Sequence, residues 1–199
     1  MTRELPLFPL SSVLVPFGRV PLQIFEPRYL DLVRDCMKTE SPFGMIWIRR
    51  GSEVAQAGRA SPDLGDIGTY ARIIDFDQLP NGLLGIVIEG GERFELESTV
   101  TRENGLVVGQ VEMLPSPAAS RVVEEWLPMV DMLRSLESHP HVQRMKLRVD
   151  YNDAWQVAYT LIQLLPIEEH LKYEMLCMET VEGVMGELNG LLSDISGES

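Results

Sequence analysis

The chain has 199 residues, with 17 basic against 30 acidic side chains, a formal net charge of −13 and 45% hydrophobic residues. A chain of this size buries about 70% of its extended surface on folding, so its core needs no disulfide or metal staple. The acidic balance leaves few groups to neutralise phosphates, which argues against a nucleic-acid partner, and no apolar run is long enough for a helical membrane span.

In chain order, Leu5-Pro6-Leu7-Phe8-Pro9-Leu10 is apolar but twice interrupted by proline, which predicts an edge strand rather than a central one. Val13-Leu14-Val15 reads as a short strand ended by Pro16-Phe17-Gly18, and Leu22-Gln23-Ile24-Phe25 as the next. Glu26-Pro27-Arg28-Tyr29 opens a helix, because proline suits the first helical position. Leu30, Val33 and Met37 form its stripe, widened by Tyr29 and Cys36, and Ser41-Pro42 ends it. Residues 43–48 are a strand and 51–65 a polar loop. Residues 68–76 and 83–88 pair across an Asn81-Gly82 turn, with Pro80 lengthening the loop. Gly90-Gly91 turns the chain into a strand over 93–100, with Phe94 and Leu96 on one face and Arg93, Glu95 and Glu97 on the other. After the Asn104-Gly105 turn, residues 106–114 form the last strand. Repeated hairpin turns favour antiparallel pairing in a curled sheet or partly closed barrel.

The remainder is helical. Leu114-Pro115-Ser116-Pro117-Ala118 reads as a linker, and residues 121–137 as a helix through Val122, Trp126, Val130, Leu133 and Leu136. His139-Pro140 breaks it, and 144–151 is ambiguous. Asn152 or Asp153 caps a helix carrying Trp155, Ala158, Tyr159, Ile162 and Leu165, which Pro166 ends. Glu168 or Glu169 opens one long helix with Leu171, Met175, Met178, Met185, Leu188 and Leu192 as its stripe. The expected organisation is a β-rich unit over 1–117, a helical subdomain over 118–192 and a frayed tail over 193–199.

Several of these residues carry a resemblance. The run Leu5-Pro6-Leu7-Phe8-Pro9-Leu10, then Pro21-Leu22-Gln23-Ile24-Phe25-Glu26-Pro27-Arg28-Tyr29, Phe43-Gly44, Gly68-Thr69, Ala71-Arg72-Ile73, Asn81-Gly82 and Gly91-Glu92-Arg93-Phe94 resembles the N-terminal substrate-binding domain of the ATP-dependent Lon protease. The similarity spans roughly residues 3 to 115 and continues more weakly through the helices. It implies an α+β fold: a PUA-like antiparallel β pseudobarrel with a crossing helix, followed by a C-terminal helical region. It also implies a docking surface for unfolded or tagged polypeptides, and the chain shows no ATPase module of the full protease.

Chemistry-bearing patterns are sparse. Phosphate binding needs a glycine-rich turn followed by lysine, and neither Lys38, Lys146 nor Lys172 follows a glycine cluster. Ser11, Ser12 and Ser41 read as loop or cap residues, with no base marked out to activate them. His139, His141, His170, Glu174 and Cys177 do not make a convincing ligand set, and Cys36 and Cys177 read as buried thiols. Arg49, Arg50 and Arg59 are the only basic cluster, with an ordinary surface loop as the simpler reading. Asp75 and Asp77 flank Phe76 as a solvated strand end. No catalytic residue, cofactor site or metal site is assigned.

Glu26 is expected to accept amide bonds from the open first helical turn, and Arg28 to tie the helix start to a carboxylate or to loop carbonyls. Together with Phe25, Pro27 and Tyr29 they form a structural motif. A polypeptide-binding surface would be apolar and exposed, and its candidates are Phe17, Phe8, Trp47, Tyr70 and Phe76. Phe17 is expected to protrude, whereas core packing is the simpler reading for Phe8, Trp47 and Phe76. Three functions follow: a non-catalytic module for exposed apolar segments, an adaptor or assembly protein for a folded partner such as Lon itself, and a small-ligand or enzymatic barrel. Expected partners are unfolded or flexible polypeptides, with a protease or chaperone and a homodimer as further options. No membrane partner is expected, and the missing basic region and cleavage site at the N-terminus point to a cytoplasmic setting.

Overall fold

The computed structural model describes residues 2–51, 53 and 62–196, which divide between two units, Met1–Ser116 and Pro117–Ser199. The first unit contains β1 (Thr2–Leu10), β2 (Arg19–Ile24), α1 (Pro27–Thr39), β3 (Phe43–Arg50), β4 (Asp63–Gln78), β5 (Leu84–Thr101) and β6 (Val107–Met113). Its sheet order is β2-β5-β4-β3-β1-β6, and β5 also pairs with β6, so an α+β fold with a partly closed ring results. The antiparallel expectation needs one correction. β1 and β3 run parallel, because the chain between them crosses over through β2 and α1 instead of returning by a hairpin.

The expectation of an edge position for β1 is also overturned: it lies between β3 and β6. Its two halves divide the partners. Thr2 to Pro6 are in register with β6, and Leu7 to Leu10 with β3. Each half therefore has one ladder neighbour and one open side, toward which a proline's missing N–H does no harm.

Val13-Leu14-Val15 is not a strand, although Leu14 and Val15 are buried. Nor does Gly90-Gly91 turn the chain, for β5 runs through it unbroken. Gly90 serves a close approach instead. A Cβ there would lie 2.2 Å from the Val15 carbonyl oxygen. Phe17 N–H donates to the Gly90 carbonyl and Gly90 N–H to the Gly18 carbonyl, both at 2.8 Å. The true turns are Leu79 to Leu83 and Arg102 to Leu106, and they are copies of each other. In each, glycine has φ of +82°. In each, asparagine Oδ1 accepts from the leucine N–H two residues on, at 3.1 Å for Asn81 and 3.0 Å for Asn104.

Helix α1 buries Tyr29, Leu32, Val33 and Cys36, a stripe at i, i+3, i+4 and i+7 rotated from the expected one, which leaves Met37 exposed. These side chains join Phe8, Leu10, Ile24, Phe43, Ile86 and Ile88 in one core cluster. Leu5, Leu7, Ile46, Tyr70, Phe94 and Val111 form a second. Arg93, expected on the solvent face, is buried.

In the second unit a 3₁₀ turn (Glu124–Trp126) leads into α2 (Leu127–Glu137), followed by α3 (Pro140–Met145), α4 (Ala154–Leu164), α5 (Glu169–Cys177) and α6 (Val181–Ser196). α4 is buried on nearly every face, and α2 and α6 pack against it. Asp153 organises its start: Oδ1 accepts from Trp155 N–H at 3.1 Å and Ser120 N–H at 3.2 Å. Residues 121–122 therefore bridge to 152–153 and are not helical. The expected long last helix is two helices. Thr180 Oγ1 accepts from Gly183 N–H and starts α6 afresh. The break leaves Cys177 exposed, not buried as expected. Residues 193–196 of the expected frayed tail are helical, and 197–199 lie outside the described residues. Among the described residues no helix is long and apolar enough to cross a membrane.

Candidate functional site

An open apolar surface of the first unit lies where β4 outlives its partner. On one side β3 is in register with β4 up to Phe43↔Ala71, where β3 begins. On the other side β5 continues from Arg72↔Glu89 to Gln78↔Leu84. Residues 72–78 thus have one paired and one free edge. A register shift between Ile73 and Asp75 reorients the segment, and Ile74 and Phe76 are 42% and 59% exposed. Met37, in the last turns of α1, is 38% exposed. A cleft of about 560 Å³ separates α1 from β4, lined by Cys36, Met37, Glu40, Ser41 and residues 72–76.

Two edge amides are held by acids of the same strand. Phe76 N–H donates to Asp75 Oδ1 at 2.9 Å, and Gln78 N–H to Asp77 Oδ1 at 2.7 Å. Asp75 and Asp77 are therefore more than a solvated strand end: they cap the free edge. Of the hydroxyl and thiol groups in its lining, Ser41 Oγ is hydrogen-bonded to Thr39 Oγ1 at 2.7 Å. Cys36 is buried, and that burial pushes its thiol above the ordinary value. Among the described residues no group of His, Cys, Asp and Glu side chains converges as a metal site.

A smaller cavity of about 200 Å³ lies beside the start of α1 and includes Phe25, Glu26, Tyr29 and Glu53 in its lining. Phe25 is 56% exposed there. Arg28 organises this end. Its Nε and Nη2 donate to Glu26 Oε2 at 3.0 and 2.9 Å. Nη1 donates to the Gly105 carbonyl at 2.9 Å and Nη2 to the Glu53 carbonyl at 3.0 Å. Its guanidinium carbon lies 4.4 Å from the Tyr29 ring centre. Glu26 makes no capping bond to a first-turn amide, contrary to expectation, since its carboxylate is turned to Arg28. Pro27 occupies the first turn as expected. Burial, the largest influence, pushes the Tyr29 phenol up to about 12.

The five aromatic candidates do not share one fate. Phe8 is buried and stacks on Tyr29 with ring centres 3.9 Å apart. Tyr70 is buried against Phe94 at 5.9 Å. Neither presents a contact surface, because each completes a core cluster. Trp47 is half-buried, its Nε1–H donating to the Ser11 carbonyl at 3.1 Å. Phe17 is 44% exposed with φ of +63°, a conformation rare for a bulky residue. Only Phe76 lines the larger cleft. Sequence reasoning missed Ile74 and Met37. The available signal was Ile73-Ile74, since two consecutive isoleucines in a regular strand face opposite ways. Of the basic cluster, Arg49 is paired with Asp66 and Arg59 lies outside the described residues.

A family model described as the ATP-dependent protease La (LON) substrate-binding domain matches residues 4–193. The chain is 25% identical over 172 residues to a Lon protease of Porphyromonas gingivalis, covering 80% of this chain and 20% of that one. It is 26% identical over 208 residues to a Lon protease of Brevibacillus choshinensis, covering 98% and 25%. The chain thus spans a fifth to a quarter of these curated relatives. The crystal structure of a Lon N-terminal domain protein from Xanthomonas campestris superposes with a TM-score of 0.76 at 31% identity, covering 94% of this chain and 98% of that one. The N-terminal domain of a Mycobacterium avium complex Lon protease shares the fold, with a TM-score of 0.61, 13% identity and coverage of 98% and 99%.

Proposed function

Since the chain belongs to the LON substrate-binding domain family, we propose that it is a non-catalytic, cytoplasmic polypeptide-binding module that takes exposed apolar segments of unfolded or flexible chains. The observation that supports this reading is the exposed group Met37, Ile74 and Phe76 around the α1–β4 cleft. Large apolar side chains left together in water mark an interaction site. Full burial of such a side chain is worth about 1.5–3 kcal/mol, and since each is only 38–59% exposed, covering it contributes about half of that, less the cost of ordering the bound segment. The matching family model describes a substrate-binding domain, which is consistent with binding without bond-making chemistry.

A fluorescently labelled, permanently unfolded polypeptide tests the reading by anisotropy titration. Saturable binding that Phe76→Ser weakens is the expected result. A chain that ignores unfolded polypeptide but captures one folded partner in stoichiometric amounts would instead be an adaptor.

A further inference from the structure

We infer that the free edge of β4 accepts an extended polypeptide segment as an added strand, with an apolar side chain seated in the α1–β4 cleft and basic side chains facing Asp75 and Asp77. The inference rests on the polypeptide-binding reading and adds the binding mode and the chemistry of the bound segment.

Three observations carry it. First, residues 72–78 pair only with β5. The register shift between Ile73 and Asp75 interrupts this edge, so its regular run is residues 75–78, about 13 Å at about 3.3 Å per residue. A partner with its own regularly spaced N–H and C=O groups matches such an edge, which favours a polypeptide over a compact ligand. Second, the amides of Phe76 and Gln78 are occupied by Asp75 and Asp77. Charged caps of this kind discourage indiscriminate edge pairing. An incoming carbonyl replaces each carboxylate as acceptor, and the released, exposed carboxylates favour a basic side chain on the bound segment modestly. Third, the apolar cleft lies beside the same segment, so main-chain pairing and side-chain burial occur together.

Charge decides between occupants. The cleft and edge carry Glu40, Asp75 and Asp77 against Arg72. A second copy paired β4 to β4 would set acids against acids across the new ladder, which is destabilising. A segment alternating apolar and basic residues meets no such repulsion.

The probe is a fluorescein-labelled peptide of about ten alternating valines and lysines, compared by anisotropy with a valine–glutamate peptide and with two versions N-methylated on alternate amides. We expect the valine–lysine peptide to bind. The valine–glutamate peptide and one of the two N-methylated registers should bind about tenfold more weakly, a loss of about 1.4 kcal/mol. The lysine preference should shrink with added salt. Gln78→Pro removes an amide held by Asp77 and should weaken the valine–lysine peptide by a similar factor. The N-methylated peptides test the same edge without relying on that variant's folding. Asp75→Asn with Asp77→Asn should erase the preference for lysine over glutamate.

If both N-methylated peptides and Gln78→Pro bind undiminished while Phe76→Ser abolishes binding, side chains dock without an added strand. The inference then fails and the polypeptide-binding reading stands. If neither unfolded polypeptide nor the valine–lysine peptide binds, both fail. A concentration-dependent dimer dispersed by Gln78→Pro makes a second copy the occupant and likewise overturns the inference.

Discussion

Up to Ala71, β4 is flanked by β3 and β5, and Gly68, Thr69, Tyr70 and Ala71 are buried. From Arg72 onward only β5 accompanies it, and every residue except half-buried Ile73 is exposed. One continuous strand thus passes from core to free edge within a single residue step. The lesson is a division of labour along the chain: the doubly flanked half holds the ring together, and the singly flanked half is available to a partner without loss of that support.

The sharpest way to break this contrast is Phe94→Ala. Phe94 is fully buried in the cluster with Tyr70, and the truncation should cost about 3–5 kcal/mol in urea unfolding. A loss below about 1 kcal/mol would mean that the flanked half is not the stabilising one. Arg28→Ala comes next. It leaves Glu26 with a 15% exposed carboxylate and no guanidinium, and frees the Gly105 and Glu53 carbonyls. The expected loss is about 2–3 kcal/mol. Unchanged melting with lost peptide binding would move Arg28 from the scaffold to the binding surface.

Alkaline titration sharpens the same contrast from the core side. The folded Tyr29 phenol is raised from 10.0 to about 12, so the unfolded chain releases this proton first. The associated stability is intact below pH 10 and drains away as pH rises to about 12, on the order of 2 kcal/mol in all. Tyr29→Phe should flatten this part of the stability–pH curve, and a curve identical to the parent's would deny the burial that causes the shift. Phe76→Ser is expected to have the smallest effect on folding, within about 0.5 kcal/mol by urea midpoint, while weakening unfolded-polypeptide binding. A large drop in stability would place Phe76 with the core.

Much of the scaffold was readable from local chemistry. Pro27 announced the start of α1, Asp153 capped α4, and both Asn-Gly pairs made the turns their backbone needs. The failures share a cause as well. Gly90-Gly91 resembles a turn in sequence, yet its purpose is to let residues 15–18 pass close by. Pro6 and Pro9 resemble edge markers, yet β1 is interior because its halves serve different neighbours. Thr180 breaks the last long helix by a cap that periodicity alone smooths over. Of the binding surface, Phe17 and Phe76 were marked and are exposed, whereas Phe8 and Tyr70 were marked and are buried.

Sequence alone determined most of the strand and helix segments, the two Asn-Gly turns, and membership of a family. These depend on residues within a few positions of one another, or on motifs that survive as text. Only tertiary structure decided that β3 begins opposite Ala71, that β4 runs on with a free edge, and that Met37 of α1 lines one cleft with Ile74 and Phe76. Exposure of an apolar side chain is set by which neighbours arrive from elsewhere in the chain. No local pattern encodes a neighbour that stops short.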